Sequence, residues 1–254
     1  MIKNFIKFIF RPIYEKYQAL LFSISNLEIS IDCLINNPKY VESKETGFNG
    51  QANRKLIFQT LLQIIKFDAI VETGTYLGDT TGYMATCSHL PVYTCEIDKR
   101  FNALARMRLR GISNITFALS DSRCFLRNLF VGKNILTAKR IFVYLDAHWY
   151  SELPLREELE IIFSSSKDFV VMIDDFKVPG DNGYGYDNYG KGRELSLQVL
   201  QDLLSDYKAI AFFPTLLSSE ETGFRRGCVI LAGNQNFIKV LQNVQSLREH
   251  LKIL

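Results

Sequence analysis

The chain has 254 residues, of which 22% are charged and 47% hydrophobic, and its formal net charge is +3. This length suits one α/β domain with an N-terminal extension. The weak charge, without a basic run interleaved with aromatic residues, gives no indication of nucleic-acid binding. Five cysteines without a C-x-x-C pair and only three histidines give no zinc site recognisable by spacing, and free thiols in a reducing compartment are expected.

Residues 1–50 are predicted to form an N-terminal helical extension and a linker rich in charge and glycine. From Pro12, which suits the first turn of a helix, apolar residues recur at alternating spacings of four and three. This stripe comprises Ile13, Tyr17, Leu20, Ile24, Leu27, Ile31 and Leu34. Three interpretations stay open: a helix packed on its own domain, a homo-oligomer seam through residues 12–36, or membrane-surface contact through the basic, phenylalanine-rich residues 1–11.

No apolar run approaches the roughly 20 residues needed to span a bilayer. We therefore expect a cytoplasmic protein whose contact with a membrane, if it has one, is peripheral.

Residues 51–254 predict one domain in which strands and helices alternate. Helices are expected near 51–66, 79–88, 98–110, 122–131, 153–163 and 192–205 and at the chain's end, and strands near 68–73, 92–96, 115–119, 141–146, 169–174, 208–213 and 227–232. This alternation indicates an α/β fold with a doubly wound, mostly parallel, seven-stranded Rossmann-like sheet. The last two strands are joined by about a dozen residues without a helical pattern, which predicts a final antiparallel hairpin.

A glycine-bearing turn follows the first predicted strand, where open α/β sheets bind their ligands. Glu72 ends the strand, Gly74 and Gly78 follow four residues apart, and Glu96 ends the second strand, placed to accept hydrogen bonds from ribose hydroxyls. Tyr76 stands where the dinucleotide fingerprint needs its second glycine, so a pyrophosphate is not accommodated. An acid at position 72 also suits a cationic amino-acid end, and S-adenosylmethionine is the cofactor that fits best.

Carboxylates end two further predicted strands. Asp146 follows the fourth strand, with His148 and Trp149 close behind, and Asp174 and Asp175 end the fifth. Carboxylates at neighbouring strand tips repel each other without a cation, and hard oxygen ligands suit Mg²⁺. The alternative is that one aspartate caps a helix and another is merely solvated.

These segments resemble a known family. The pattern E-x-G-x-Y-x-G-x-T resembles motif I of class I methyltransferases, and L-D-x-H-W and I-D-D-F-x-x-P-G are similar to the metal-binding segments of Mg²⁺-dependent catechol O-methyltransferase-like enzymes and of the macrocin O-methyltransferase group. The resemblance covers roughly residues 68–232. It implies cofactor contacts from Glu72, Gly74, Tyr76, Gly78, Glu96, Asp121 and Ser122. It also implies metal ligation by Asp146, Asp174 and Asp175.

Two positions in this resemblance leave alternatives open. The family reads the adenine amino group at Asp121, but Ser120 or Asp121 would equally serve as the N-cap of the next helix. The catechol enzymes place a lysine base three residues after the first metal aspartate, where this chain has Trp149. His148 is then the nearby candidate for a catalytic base, although a histidine at such a place is often structural.

The loop over residues 180–192 is rich in glycine and tyrosine and follows the fifth strand. Tyr184, Tyr186 and Tyr189, together with Trp149, are candidate contacts for a sugar or aromatic substrate. A small-molecule or glycan hydroxyl is the expected methyl acceptor. Two alternatives remain: a metal-dependent nucleotide-sugar glycosyltransferase that uses Asp146-Ala-His148, and a non-catalytic module that keeps the methyltransferase fold.

Overall fold

A computed structural model of the chain describes residues 2–36, 47–131, 137–148 and 153–250. The helices in this part are α1 (Ile2–Asn36), α2 (Ala52–Ile64), α3 (Asp79–Ser88), α4 (Lys99–Arg108), α5 (Ser122–Phe130), α6 (Leu155–Phe163), α7 (Leu197–Asp206) and α8 (Gln235–Leu241). The strands are β1 (Ala69–Thr73), β2 (Val92–Glu96), β3 (Ile115–Leu119), β4 (Arg140–Leu145), β5 (Asp168–Ile173), β6 (Ile210–Pro214), β7 (Val229–Ala232) and β8 (Leu247–Glu249). Strands β1 to β7 begin and end within two residues of the predicted ones.

The described strands form one sheet in the order β3-β2-β1-β4-β5-β7-β6-β8. The first five strands in that order pair in parallel, whereas β7 is antiparallel to both β5 and β6. The predicted doubly wound sheet and its final antiparallel hairpin are therefore confirmed. The sheet has one strand more than predicted, because the three-residue β8 adds to the edge beside β6.

The centre of the sheet is apolar on both faces, as expected when helices cover both sides of a parallel sheet. Every residue of β1 is buried, and so are five of six in β4 and in β5. Successive side chains enter opposite layers: Ile70 and Phe142 pack on one face, Val71 and Val143 on the other. The carboxyl ends of β1, β4 and β5 consequently lie side by side.

The N-terminal helix differs from expectation in where it begins and in its apolar length. α1 starts at Ile2 and contains Pro12, which was predicted to mark its first turn. Its segment Arg11–Asn36 is long and apolar enough, by length and composition alone, to cross a membrane, contrary to the expectation that no such segment exists. The last turns of α1 pack on α4, where Ser30 and Cys33 are buried.

Candidate cofactor and metal site

The turn after β1 is shaped by Gly74. Its φ of +85° lies in the left-handed region, and a Cβ there would stand 2.2 Å from the carbonyl oxygen of Asp146. The amides of Gly74 and Thr75 both donate to the carbonyl oxygen of Cys95, which holds the turn against β2. The predicted cofactor turn therefore touches the backbone of the first predicted metal ligand.

Glu72 lies behind this turn and is 1% exposed. Its Oε2 accepts hydrogen bonds from Oγ1 of Thr94 at 2.6 Å and Oγ1 of Thr81 at 2.5 Å. Burial raises the pKa of Glu72 to about 7, although both hydroxyls favour the ionised form. Glu72 thus joins β1 to β2 and α3, and its predicted contact with a cofactor stays a prediction.

Glu96 occupies the tip of β2 and is fixed by backbone amides. Oε2 accepts from the amide of Tyr76 at 2.8 Å and Oε1 from the amide of Asp98 at 2.9 Å. Burial raises the pKa of Glu96 despite these bonds. Tyr76 itself has a φ of +48°, and the centroid of its ring lies 4.5 Å from the ring centroid of Phe101. The two predicted cofactor residues therefore brace the same turn.

Asp121 is the N-cap of α5. Its Oδ1 accepts from the amides of Arg123 at 2.9 Å and Cys124 at 3.3 Å. An ion pair with the Arg123 guanidinium at 2.7 Å lowers the pKa of Asp121. The capping role offered as an alternative is thus present, and a contact with adenine remains a prediction for Asp121 and for the buried Ser122.

Asp146, His148 and Asp175 come together at the ends of β4 and β5. One ligand atom from each lies within 4.8 Å of the others, and Nε2 of His148 is 3.9 Å from both carboxylates. Neither ring nitrogen of the buried His148 has a hydrogen-bond partner in the described part of the chain. Burial lowers the pKa of His148, which favours the neutral imidazole, and a neutral imidazole has one unprotonated nitrogen that can bind a cation.

Asp174 faces away from this cluster into a network of its own. Its carboxylate pairs with Arg54 and accepts hydrogen bonds from the hydroxyl of Tyr144 at 2.5 Å and the side-chain amide of Asn49 at 2.9 Å. Burial opposes ionisation, but the Arg54 guanidinium and these donors lower the pKa of Asp174. Asp174 was predicted to bind the metal with Asp146 and Asp175. Its carboxylate oxygens are instead paired with Arg54, Tyr144 and Asn49.

Asp175 has the opposite electrostatic environment. Burial and the neighbouring charge of Asp174 raise its pKa to about 7, and the ion pair with Arg226 only partly offsets this effect. Burial and the charges of Asp174 and Asp175 also raise the pKa of Asp146. The negative charges of Asp146 and Asp175 are therefore not fully neutralised by neighbouring residues, as is common for groups that bind a cation.

The loop over residues 180–192 is attached to the cluster. The amide of Asp187 donates to the carbonyl of Asp175 at 2.9 Å, and Arg226 bridges the carboxylates of Asp175 and Asp187. Tyr184 is 3% exposed and donates to the carbonyl of Leu216, so it anchors the loop. Tyr186 and Tyr189 remain partly exposed candidates for substrate contact, and Trp149 lies outside the described residues.

Two acid–base residues of this region were missed in the sequence. Arg54 carries a charge on the buried face of α2, three residues before Ile57 and seven before Leu61. A charged residue within an apolar helix face is unusual, and this position could have indicated a functional role for Arg54. Glu158 of α6 is fully buried with no regular hydrogen bond to its carboxylate within the described residues. No sequence pattern distinguishes Glu158 from its exposed neighbour Glu157.

Comparison with solved structures identifies the fold. The chain is similar to the O-methyltransferase TomG from Streptomyces achromogenes in complex with SAM, with 17% identity over 71% of this chain and 79% of that one and a TM-score of 0.52. It is also similar to the O-methyltransferase from Bacillus cereus in complex with SAH, with 17% identity, coverage of 81% and 90%, and a TM-score of 0.53. No protein-family model and no curated protein matches the sequence. The fold is that of class I methyltransferases.

Proposed function

We propose that the chain is an S-adenosylmethionine-dependent O-methyltransferase that acts on a hydroxyl of a sugar or other small molecule with the help of a divalent metal. The observation that carries the proposal is the contact between the Gly74 turn and Asp146, which would set the methyl donor directly against the His148 cluster. The fold shared with solved methyltransferases supports it. A cytoplasmic location is supported by five free cysteines.

The chain's own residues would position the donor. The Gly74 turn would present its backbone to the cofactor, and Glu96, held by the amides of Tyr76 and Asp98, keeps lone pairs for ribose hydroxyls. When bound, S-adenosylmethionine supplies an electrophilic methyl group. Because methyl transfer is an in-line displacement, the protein's main task is to align donor and acceptor.

Asp146, His148 and Asp175 are the residues that would hold the metal. Their two carboxylates suit Mg²⁺ or Mn²⁺, while the imidazole nitrogen suits a transition ion, so Mn²⁺ satisfies both preferences. When bound, the ion lowers the pKa of a coordinated hydroxyl. His148 cannot bind a metal and accept a proton through the same nitrogen. His148 would therefore act as the catalytic base only if the reaction proceeds without a metal.

The alternative glycosyltransferase function uses only Asp146 and His148 and leaves the Gly74 turn without a role. The position of antiparallel β7 between β5 and β6 favours the methyltransferase function as well.

The proposal is tested by calorimetric titration with S-adenosylhomocysteine in Mn²⁺, in Mg²⁺ and in EDTA. We expect micromolar binding in all three buffers, because the donor pocket is built from the β1 turn and not from the metal ligands. Titration with UDP-glucose is the control for the alternative function. If UDP-glucose binds and S-adenosylhomocysteine does not, the proposal is refuted.

The metal is tested separately by titrating Mn²⁺ into wild-type protein and Asp146→Asn. We expect the substitution to weaken Mn²⁺ binding at least tenfold and to leave S-adenosylhomocysteine affinity within threefold. A screen of sugars and phenols then follows methyl transfer with and without EDTA. Methyl transfer that persists unchanged in EDTA would refute the proposed metal requirement. His148 would then be the candidate for the catalytic base.

A further inference from the structure

The first half of α1 projects from the domain. Every described side chain from Arg11 to Ser25 is exposed, whereas Ser30 and Cys33 in the last turns are buried against α4. Among the exposed side chains, Phe22 lies beneath the guanidinium of Arg106 at 5.4 Å from the ring centroid. A helix segment with so little tertiary packing is only marginally stable in water, so a binding partner is needed to stabilise it.

The exposed segment carries a continuous apolar stripe. Its members are Ile13, Tyr17, Leu20, Ile24, Leu27 and Ile31, with exposed fractions of 62%, 55%, 57%, 45%, 51% and 48%. Together with the partly buried Leu34 they recur at alternating spacings of four and three, 3.5 residues on average, which is the period of a left-handed coiled coil. Single exposed apolar residues are ordinary, but a contiguous row of six marks an interaction surface.

We propose that this stripe binds the same stripe of a second copy of the chain in a parallel, two-stranded coiled coil. The alternating spacing places Ile24 and Ile31 at heptad position a. Leu20, Leu27 and Leu34 fall at position d. A β-branched residue at a with leucine at d is the combination that favours two parallel strands.

The orientation of α1 on its domain leaves the stripe accessible. Asn26 and Cys33 occupy position c and Ser30 position g, so the face that packs on α4 lies to one side of the a and d residues from Ile13 to Ile31, which stay exposed. Leu34, at the end of the stripe, packs partly on the domain. The charges beside the stripe also permit pairing. In a parallel pair Lys16 at position g lies opposite Leu21, and Glu28 at position e lies opposite Ser23, so no like charges meet.

The size of the contact is sufficient for a specific dimer. From Ile13 to Ile31 the helix is about 27 Å long, and covering half the circumference of a helix about 12 Å wide buries on the order of 500 Å² per chain. The total of about 1,000 Å² meets the threshold for a biological interface.

A bilayer span fits the helix less well. The anchored turns after Asn26 belong to the surface of the domain, and the remaining residues 2–25 include Lys3, Lys7, Arg11, Glu15 and Lys16. Charges at this density oppose insertion into hydrocarbon.

The test compares the mass in solution of the wild-type chain and two double variants by light scattering after size exclusion. Leu20→Glu with Leu27→Glu places charge in the stripe. Gln18→Glu with Ser25→Glu places the same charge, at the same spacing, at heptad position b. We expect dimers for the wild type and the control and a monomer for the stripe variant, with a dimer dissociation constant raised at least 100-fold.

Because all four positions are exposed, the thermal transition of the domain serves as the folding check for both variants. Parallel pairing is tested by oxidation of Leu20→Cys and Gln18→Cys, each in a Cys124→Ser background. We expect a disulfide-linked dimer only for the former.

A wild-type monomer at 50 μM, an oligomer larger than a dimer, or a monomer that floats with vesicles of anionic phospholipid would each overturn the proposal. These measurements do not use methyl transfer, so their outcome is independent of the proposed function.

Discussion

Arg54 on α2 and Asp174 at the end of β5 form an ion pair whose side chains are 1% and 2% exposed. The same guanidinium donates to the carbonyls of Arg226 and Gly227, which precede β7. One arginine therefore fixes three segments around the candidate site and neutralises one of its three aspartates. We therefore expect the adjacent carboxylates Asp174 and Asp175 to serve different purposes.

Asp174→Asn and Asp175→Asn should separate these purposes. The first leaves the Arg54 charge buried without its partner, and we expect the free energy of unfolding to fall by about 3–5 kcal/mol. The second removes a proposed metal ligand, and we expect Mn²⁺ binding to weaken at least tenfold with little loss of stability. Urea denaturation and calorimetry measure the two quantities. Strong loss of metal binding with unchanged stability in Asp174→Asn would show that Asp174 is a ligand after all.

Gly74→Ala should disrupt the β1 turn. The new Cβ would meet the Asp146 backbone at 2.2 Å while φ stays at +85°, so we expect several kcal/mol of destabilisation and loss of S-adenosylhomocysteine binding. Gly111→Ala is the matched control, since a Cβ there meets no atom within 4 Å and φ is not in the left-handed region. Thermal unfolding and calorimetry compare the two variants. Equal behaviour of both would mean that the turn is not closely packed.

Much of the fold follows from local pattern. The strands were predictable because apolar runs such as Ala69–Val71 and Phe142–Leu145 are bounded by turn residues, and the Gly74 turn because glycine spacing is local. The beginning of α1 was not predictable from local pattern, because the helix continues through Pro12. Proline in a helix interior normally kinks or breaks the helix, so local pattern placed the start at Pro12 instead of at Ile2.

The partners within the site could not be read from the sequence. Whether Asp174 or Asp175 faces the cluster depends on Arg54, which is 120 residues away from Asp174. The cluster includes His148 because the chain after β4 turns its imidazole toward Asp175 on the next strand. Such choices are made by tertiary packing, and sequence reasoning could only gather the candidates.

Arg226→Gln should loosen the loop over residues 180–192. Arg226 bridges Asp175 and Asp187, so its removal leaves fewer contacts to hold the loop. We expect trypsin to cut faster after Lys191 or Arg193, because cleavage requires local opening. Arg225→Gln is the control, because among described contacts that side chain donates only to the carbonyl of Glu221. Cleavage rates are compared by mass spectrometry, and equal rates in both variants would disprove the tethering role.

Glu158→Gln should make the protein more stable at alkaline pH. Glu158 is fully buried behind Thr73 and Ser122, and burial raises its pKa from 4.5 to about 7. The folded state therefore favours the protonated carboxyl. The stability that it contributes is complete below pH 4.5 and is lost as the pH rises through about 7. The loss at pH 8 amounts to about 3 kcal/mol.

Glutamine removes this loss, because it keeps the shape of the protonated acid and cannot ionise. We expect the melting temperature of Glu158→Gln to exceed that of the wild type by several degrees at pH 8 and to match it within about a degree at pH 5. Glu157→Gln, half-exposed on the same helix, is the control and should show no such pH-dependent difference. The buried hydroxyl of Thr73 lies beside Glu158, and its oxygen can accept a hydrogen bond from the new amide. A melting temperature of Glu158→Gln that runs parallel to the wild type from pH 5 to pH 8 would show that Glu158 does not titrate in this range and would refute the prediction.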